Sequence, residues 1–497
     1  MKPDRFSFRN LVSISFSSAQ LSLAVSLMTL LGQSARAGNT WDGEGGSDNW
    51  GNNLNWSSNT APGYGTLIFS GTTRTTNINN SITAMNQVQW NNSTGWTMNS
   101  DGTVLSLYDI GGTTQAKLEN LGSGLVTINA PITFAATVGP NFGEINAVNG
   151  DITFGSAGTL TVNGSAVIDI RLYGSSKVVT FNNTVSASGR DFDIATSGTG
   201  NTIHIGGSFT AANFSIMNGG TLNLNNGGTL NTMGIRLGAD YVGSGNINNA
   251  SGATFNLTAS AGGQTVAGVI NAGTGNTGSL TVNSQNTSNT NTISGNIFLD
   301  SNLAITQSSG GTLAISNATL DLKSKSLALL GSGGTINITG VIGNSTGSGQ
   351  LVIGTNGTAA TGGTVTLSNT NTYSGDTIVR NGTLAFTSAG SSNNSTIRLG
   401  STSGTSVDAA INLTTTTGGT VIGSVVNPVA TSGSGTLSIN SQNTSGTNTF
   451  SGHFGNDRNL SINQAAGSGT LAFTQARAGG TGTLTGFDIK TTTVTLG

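Results

Sequence analysis

Cysteine is absent from the 497 residues, and only 7% of them are charged. The first absence excludes disulfides, thiolate metal sites, thiol catalysis and redox chemistry. A chain of this size without disulfides, which a secreted protein would be allowed, must draw its stability from elsewhere, as a long ladder of strands over a continuous core can. Histidine is nearly absent as well. His204 and His453 are the two, neither with another histidine close in sequence. A His-based metal centre would need assembly at long range, so no metal and no cofactor is expected. Charge at 7% is far below the roughly 25% of an ordinary globular domain. With 76 Gly and abundant Ser, Thr and Asn, that scarcity would suit a disordered chain. Regularly recurring apolar pairs along the whole length argue against disorder.

The N-terminus carries the clearest local signal. Lys2, Arg5 and Arg9 precede an apolar run from Leu21 to Gly32, and Ala35-Arg36-Ala37 then fits the small-x-small cleavage rule. The pattern predicts a signal peptide over 1–37, cut between Ala37 and Gly38. The run is too short to span a bilayer. Beyond residue 37 the chain has 13 Lys+Arg against 18 Asp+Glu, a net charge of −5. No basic patch survives, which argues against nucleic acid as a partner.

What is present is periodic. From about residue 111, apolar residues come in i, i+2 pairs such as Leu303/Ile305, Leu313/Ile315, Leu327/Leu329, Ile336/Ile338, Val365/Leu367 and Ile397/Leu399. Each pair reads as a short strand turning alternate residues to a core, and Gly, Asn, Ser and Thr fill the turns between. The pattern predicts an all-β protein. Longer repeats choose the architecture. GSLTVNSQNTSNTNTISG at Gly278 returns as GTLSINSQNTSGTNTFSG at Gly435, 157 residues later, so blocks of about 218–315 and 381–475 read as one duplicated unit. Sandwiches close within about 100 residues, whereas solenoids grow by adding rungs. The expectation is a long right-handed parallel β-helix over 111–497, with roughly 20–25 residues per rung. All five Trp lie between residues 41 and 96, which sets off a Trp-rich head or cap over 38–110.

The segment GGTVTLSNTNTYSGDTIVRNGTLAF, Gly362 to Phe386, resembles the autotransporter-associated β-strand repeat. Asn371, Thr372, Tyr373, Gly375, Thr377, Val379, Gly382, Thr383 and Leu384 all fit at fixed spacing. NTISG at Asn291 and NTFSG at Asn448 are partial copies, with Ile293 and Phe450 in place of the tyrosine. The head, with Trp41-Asp42-Gly43, Asn49-Trp50, Asn55-Trp56 and Leu67–Gly71, looks like the N-terminal segment of such proteins. The resemblance implies export, a passenger-type β-helix, and a location at the outer-membrane-associated surface or in the medium. It implies no reaction. Family members carry an outer-membrane barrel, and the closing stretch TGFDIKTTTVTLG lacks its long alternating strands and aromatic girdles. The expectation is therefore a truncated reading frame, or an end covered by further rungs, a barrel or another polypeptide. End-to-end self-association through an open parallel edge follows from it.

Candidate chemistry is sparse. Asp191 and Asp193 share a strand face, about 7 Å apart, beside Arg190. Asp169 and Arg171 pair in the same way. The bland reading for both is a solvated face; the sharp one is a carboxylate pair for polysaccharide cleavage, which needs two carboxyls about 5–10 Å apart. Asp42, Glu44 and Asp48 miss the calcium-loop spacing and read as a turn. Trp41, Trp50 and Trp56 either cap the first rung or form a platform for glycans. The leading expectation is a non-enzymatic, passenger-like stalk or adhesin whose surface or glycan ligand is unknown. The alternatives are a carbohydrate-active β-helix enzyme, a lyase or hydrolase, and a glycan-binding module working through the Trp head.

Overall fold

Alternation with a period of two puts every second residue of these short segments on one side. The side carrying Leu, Ile, Val and Phe must be buried, and a single short strand cannot bury it alone. Stacking rungs solves the problem, and the computed structural model shows that solution throughout. The structure describes residues 39–474 except 110–114, 137–141, 165–166, 173–175, 197–199, 217–218, 239–251, 275–277, 309, 317–318, 356–361, 388–390, 393–395, 401–407, 425, 429–435 and 453–459; it also describes 487–489 and 494–496. The expected signal peptide and its expected cleavage residues Ala35, Ala37 and Gly38 lie outside the described residues, as does His453.

The chain is a parallel β-solenoid of about 14 turns. Each turn visits three faces in order. Face one begins with Asn39–Trp41, Thr66–Phe69, Gln87–Trp90 and Ala116–Asn120, hydrogen-bonded in parallel. Face two is a sheet of 15 stacked strands running from Thr76–Asn79 to Val426–Pro428. Face three begins with Ala84–Met85, Leu105–Leu107, Ile132–Ala136 and Thr159–Gly164. Two long strands, Thr184–Thr196 and Ser208–Ile216, pass through the corner between faces three and one and join them into an 18-stranded sheet. Gly189, at φ +75°, sits at that corner, and the register shifts there between Ala187 and Asp191. Beyond this point face three continues, after Thr229–Asn231, as a 10-stranded sheet, while face one stays in the 18-stranded sheet as far as Ile342–Gly343 and then continues as a 6-stranded sheet.

Successive turns differ in length. On face two Ile203 pairs with Leu222, and Leu222 pairs in turn with Phe255. The first of these steps falls just short of the expected range and the second well beyond it. The interior does not feel the difference, because insertions fall in the corners. Val126, Ile152, Val179, Ile203, Leu222, Phe255, Val282, Ile305, Leu329, Ile353, Val379 and Leu399 stand in one unbroken inward column, all buried.

The composition step at residue 96 marks a change in what fills the core. The ladders themselves run straight through residue 110: Gln87–Trp90 pairs with Ala116–Asn120, and Trp96–Ser100 with Val126–Ile128. The Trp-rich head is thus the solenoid's first rungs and their plug.

Duplication is visible in three dimensions, with a twist the repeats alone do not reveal. Leu280–Ser284 lies on face two, and its counterpart Leu437–Ser441 on face three. Thr290–Ile293 lies on face three, and Thr447–Phe450 on face one. From Val282 the ladder passes Ile305, Leu329, Ile353, Val379, Leu399 and Pro428, six steps, before Ile439 follows on the next face. The copied unit is therefore six turns and one face away, rotated about the axis by one third of a turn.

Candidate functional site

Three places were singled out by residue type: the Trp cap, the repeat motif and the carboxylates. At the cap, Trp41, Trp50 and Trp56 have no exposed surface, and Trp90 and Trp96 are buried too. Phe69 is the hub. Its ring centroid lies 6.1, 5.4, 6.1, 5.9 and 5.1 Å from those of Trp41, Trp50, Trp56, Trp90 and Trp96. Trp41 and Trp56 meet edge to face at 5.2 Å, a favoured aromatic geometry. Burial obliges an indole N–H to find an acceptor. Trp41 donates to the Thr73 carbonyl at 3.3 Å and Trp50 to Asn77 Oδ1 at 2.9 Å. Trp56 donates to the Trp50 carbonyl and Trp96 to Asn92 Oδ1, both at 2.8 Å. With neither face nor N–H free, Trp41, Trp50 and Trp56 offer a sugar no platform, so this geometry suits a plug over the first rung. Asp42, Glu44 and Asp48 form the turn beside it. The Glu44 amide donates to Asp42 Oδ1, and Arg74 reaches Asp48 at 3.0 Å.

The repeat motif resolves into structural parts. Asn371 is buried, and its Oδ1 accepts the Ile342 amide at 3.0 Å. Asn291 and Asn448 do the same for Gln264 and Thr420, at 3.0 and 3.1 Å. Tyr373 is buried, with its hydroxyl 2.5 Å from Thr377 Oγ1; Ile293 and Phe450 are buried in the same frame. At Gly375, as at Gly295 and Gly452, an added Cβ would overlap a carbonyl oxygen of the preceding rung. Gly382 needs its positive φ of +81°. Val379 and Leu384 enter the core, Thr383 is half-buried and Thr372 exposed.

Register assembles more carboxylates than any local spacing shows. On face one, Gln87, Lys117, Glu144, Asp169, Asp193 and Ser215 occupy aligned backbone positions on successive rungs, with Gln89, Glu119, Asn146 and Arg171 in the neighbouring column. The sequence pairs Asp191 with Asp193 but gives no hint of Glu119 or Glu144, because rungs of unequal length separate them. The described members bind one another. Lys117 Nζ lies 2.8 Å from Glu144, which is almost fully buried. The Asn146 amide donates to Glu144 at 3.0 Å and to Glu119 at 3.3 Å, and Gln89 donates to Glu119 at 3.0 Å. Asp191 accepts from Asn213 at 2.6 Å. Asp321 is engaged as well. Burial pushes its carboxyl up, but hydrogen bonds from the Ser345 hydroxyl and the Ser345 and Lys323 amides, with the Lys323 charge, outweigh this and hold it below the usual carboxylate range. Among the described residues, no group of three or more His, Asp or Glu is arranged to hold a metal ion, and no helix is long and apolar enough to cross a membrane. No protein-family model, curated protein or solved structure matches the chain.

Proposed function

We propose that this chain is an exported, non-catalytic surface protein whose solenoid acts as a passenger-like stalk or adhesin, related to proteins with autotransporter-associated β-strand repeats. The observation that carries the reading is how the outward polar side chains are used. Along face one they hydrogen-bond from rung to rung, Gln89 to Glu119, Asn146 to Glu119 and Asn213 to Asp191, and within one rung, Asn146 to Glu144. Catalytic carboxyls need a substrate-facing lone pair and a tuned proton affinity, whereas these are occupied as struts. Support also comes from the NTYSG motif, whose Asn, Tyr and Gly all have packing roles, and from the net charge of −5 beyond residue 37, which favours solubility at a surface. Export rests on the Ala35-x-Ala37 pattern.

One preparation tests both halves. Expressed with its leader in a bacterial host, the chain recovered outside the cytoplasm is expected to begin at Gly38 and to show no turnover of pectin, alginate or β-glucan, with or without calcium. Exported protein starting at Met1 would refute the leader. Turnover lost on Asp191→Asn would replace the stalk by a polysaccharide-cleaving enzyme.

A further inference from the structure

The outer side of face two carries a second column of polar residues. Thr97, Thr127, Thr153 and Thr180 hold four successive rungs, followed by His204, Asn223, Asn256, Asn283 and Thr306. From His204 onward the members are hydrogen-bonded in one direction. Thr306 Oγ1 donates to Asn283 Oδ1, Asn283 Nδ2 to Asn256 Oδ1 at 2.8 Å, and Asn256 Nδ2 to Asn223 Oδ1 at 2.7 Å. The row ends on the imidazole, with Asn223 Nδ2 3.3 Å from His204 Nδ1. That contact is a hydrogen bond only if Nδ1 is an acceptor, that is, in a neutral ring protonated at Nε2. A rival partner stands at the same distance: Asn225 Oδ1 is 3.3 Å from Nδ1 and can only accept. One nitrogen therefore faces a donor and an acceptor, and its proton decides between them.

We infer that His204 sets the polarity of this side-chain row, and that its protonation reverses the amides of Asn223, Asn256 and Asn283 together. A proton from solvent added at Nδ1 turns the ring into a donor on both nitrogens. Asn225 Oδ1 then accepts it, and Asn223 Nδ2 is left donor against donor. Flipping the Asn223 amide removes that clash and presents Nδ2 to Asn256, which must flip in turn, and so on to Asn283. The far end can absorb the reversal because the Thr306 hydroxyl donates or accepts with equal ease. The strands on either side of His204, Val178–Phe181 and Thr221–Leu224, carry no titratable side chain, and the residues facing it are Thr180, Asn223 and Asn225. Histidine as a residue type changes charge near neutral pH, and protonation here would exchange the pattern of donors and acceptors on the outer surface of four rungs.

The test is NMR of the chain labelled with 15N-asparagine, following the side-chain amides from pH 8 to pH 5. Asn223, Asn256 and Asn283 are expected to shift along one common titration curve. His204→Thr, which extends the threonine column already present on four rungs, should abolish the shift at Asn283 while its resonance persists. Asn256→Val should leave the shift at Asn223 and remove it at Asn283. A shift confined to Asn223, no shift in the row, or a shift at Asn283 that survives His204→Thr would each overturn the inference.

Discussion

Tyr373 shows what a single residue of the repeat motif contributes. It is buried on the path between a capped corner and the next face, and its hydroxyl is satisfied by Thr377. Removing the ring should cost about 3–5 kcal/mol, the usual penalty for a buried aromatic truncated to alanine. Removing the hydroxyl alone should cost about 0.5–1.5 kcal/mol, the net worth of one hydrogen bond. Urea unfolding of Tyr373→Ala and Tyr373→Phe should therefore give clearly separated losses. Equal losses would mean that the hydroxyl, and not the ring, carries the contribution of Tyr373, and would contradict a packing role shared with Ile293 and Phe450. That shared role was legible in the sequence because the flanking Asn-Thr and Ser-Gly keep their spacing. The role of the asparagine was not. Asn is counted as a surface residue by type, yet Asn291, Asn371 and Asn448 are buried because each replaces a strand partner for a corner amide.

A corner element repeats in full between the two copies of the duplicated block. Asn286 donates to the carbonyls of Ser288, Asn289 and Thr312 and accepts from Ser284 and Asn291. Asn443 donates to Ser445, Gly446 and Thr470 and accepts from Ser441 and Asn448. The glutamine of the following rung completes both, Gln307 onto the Asn286 carbonyl and Gln464 onto that of Asn443. Each such corner orphans several buried groups if its asparagine is lost, at about 1–3 kcal/mol per group. Asn286→Ala and Asn443→Ala should thus cause similar local losses of hydrogen-exchange protection, each centred on its own corner. A marked asymmetry would mean that the two corners have diverged in role. The pairing of these residues was readable from their common spacing of 157. Their rotation by one face was not, because it depends on the summed lengths of six unequal turns. The same cause hid the alignment of Glu119 with Asn146 and of Lys117 with Glu144: sequence distance between rungs carries no register.

At the scale of the molecule, the account makes one object of the Trp plug, the inward apolar columns and the outward polar rows. Neighbouring rungs hold one another, and stability is approximately a sum of rung and interface contributions, which is how a chain without cysteine keeps its form. Composition and the period of two were enough to foresee stacked strands, since both are local signals. The closing of the first rung by Phe69 and five tryptophans was visible only as a change in aromatic content. The central claim is that this object is an extended rod. The steps between the 15 strands of face two, at about 4.8 Å each, together span about 67 Å, to which the cap and the last rungs add. A compact globule of the same chain would have a radius of gyration of about 23 Å and a symmetric distance distribution. Small-angle X-ray scattering of the purified protein measures this directly. The account predicts a constant cross-section and a skewed distribution with a tail beyond about 70 Å, the length set by the stacked strands. A symmetric distribution ending at about 60 Å, as for a compact globule of this length, would contradict it.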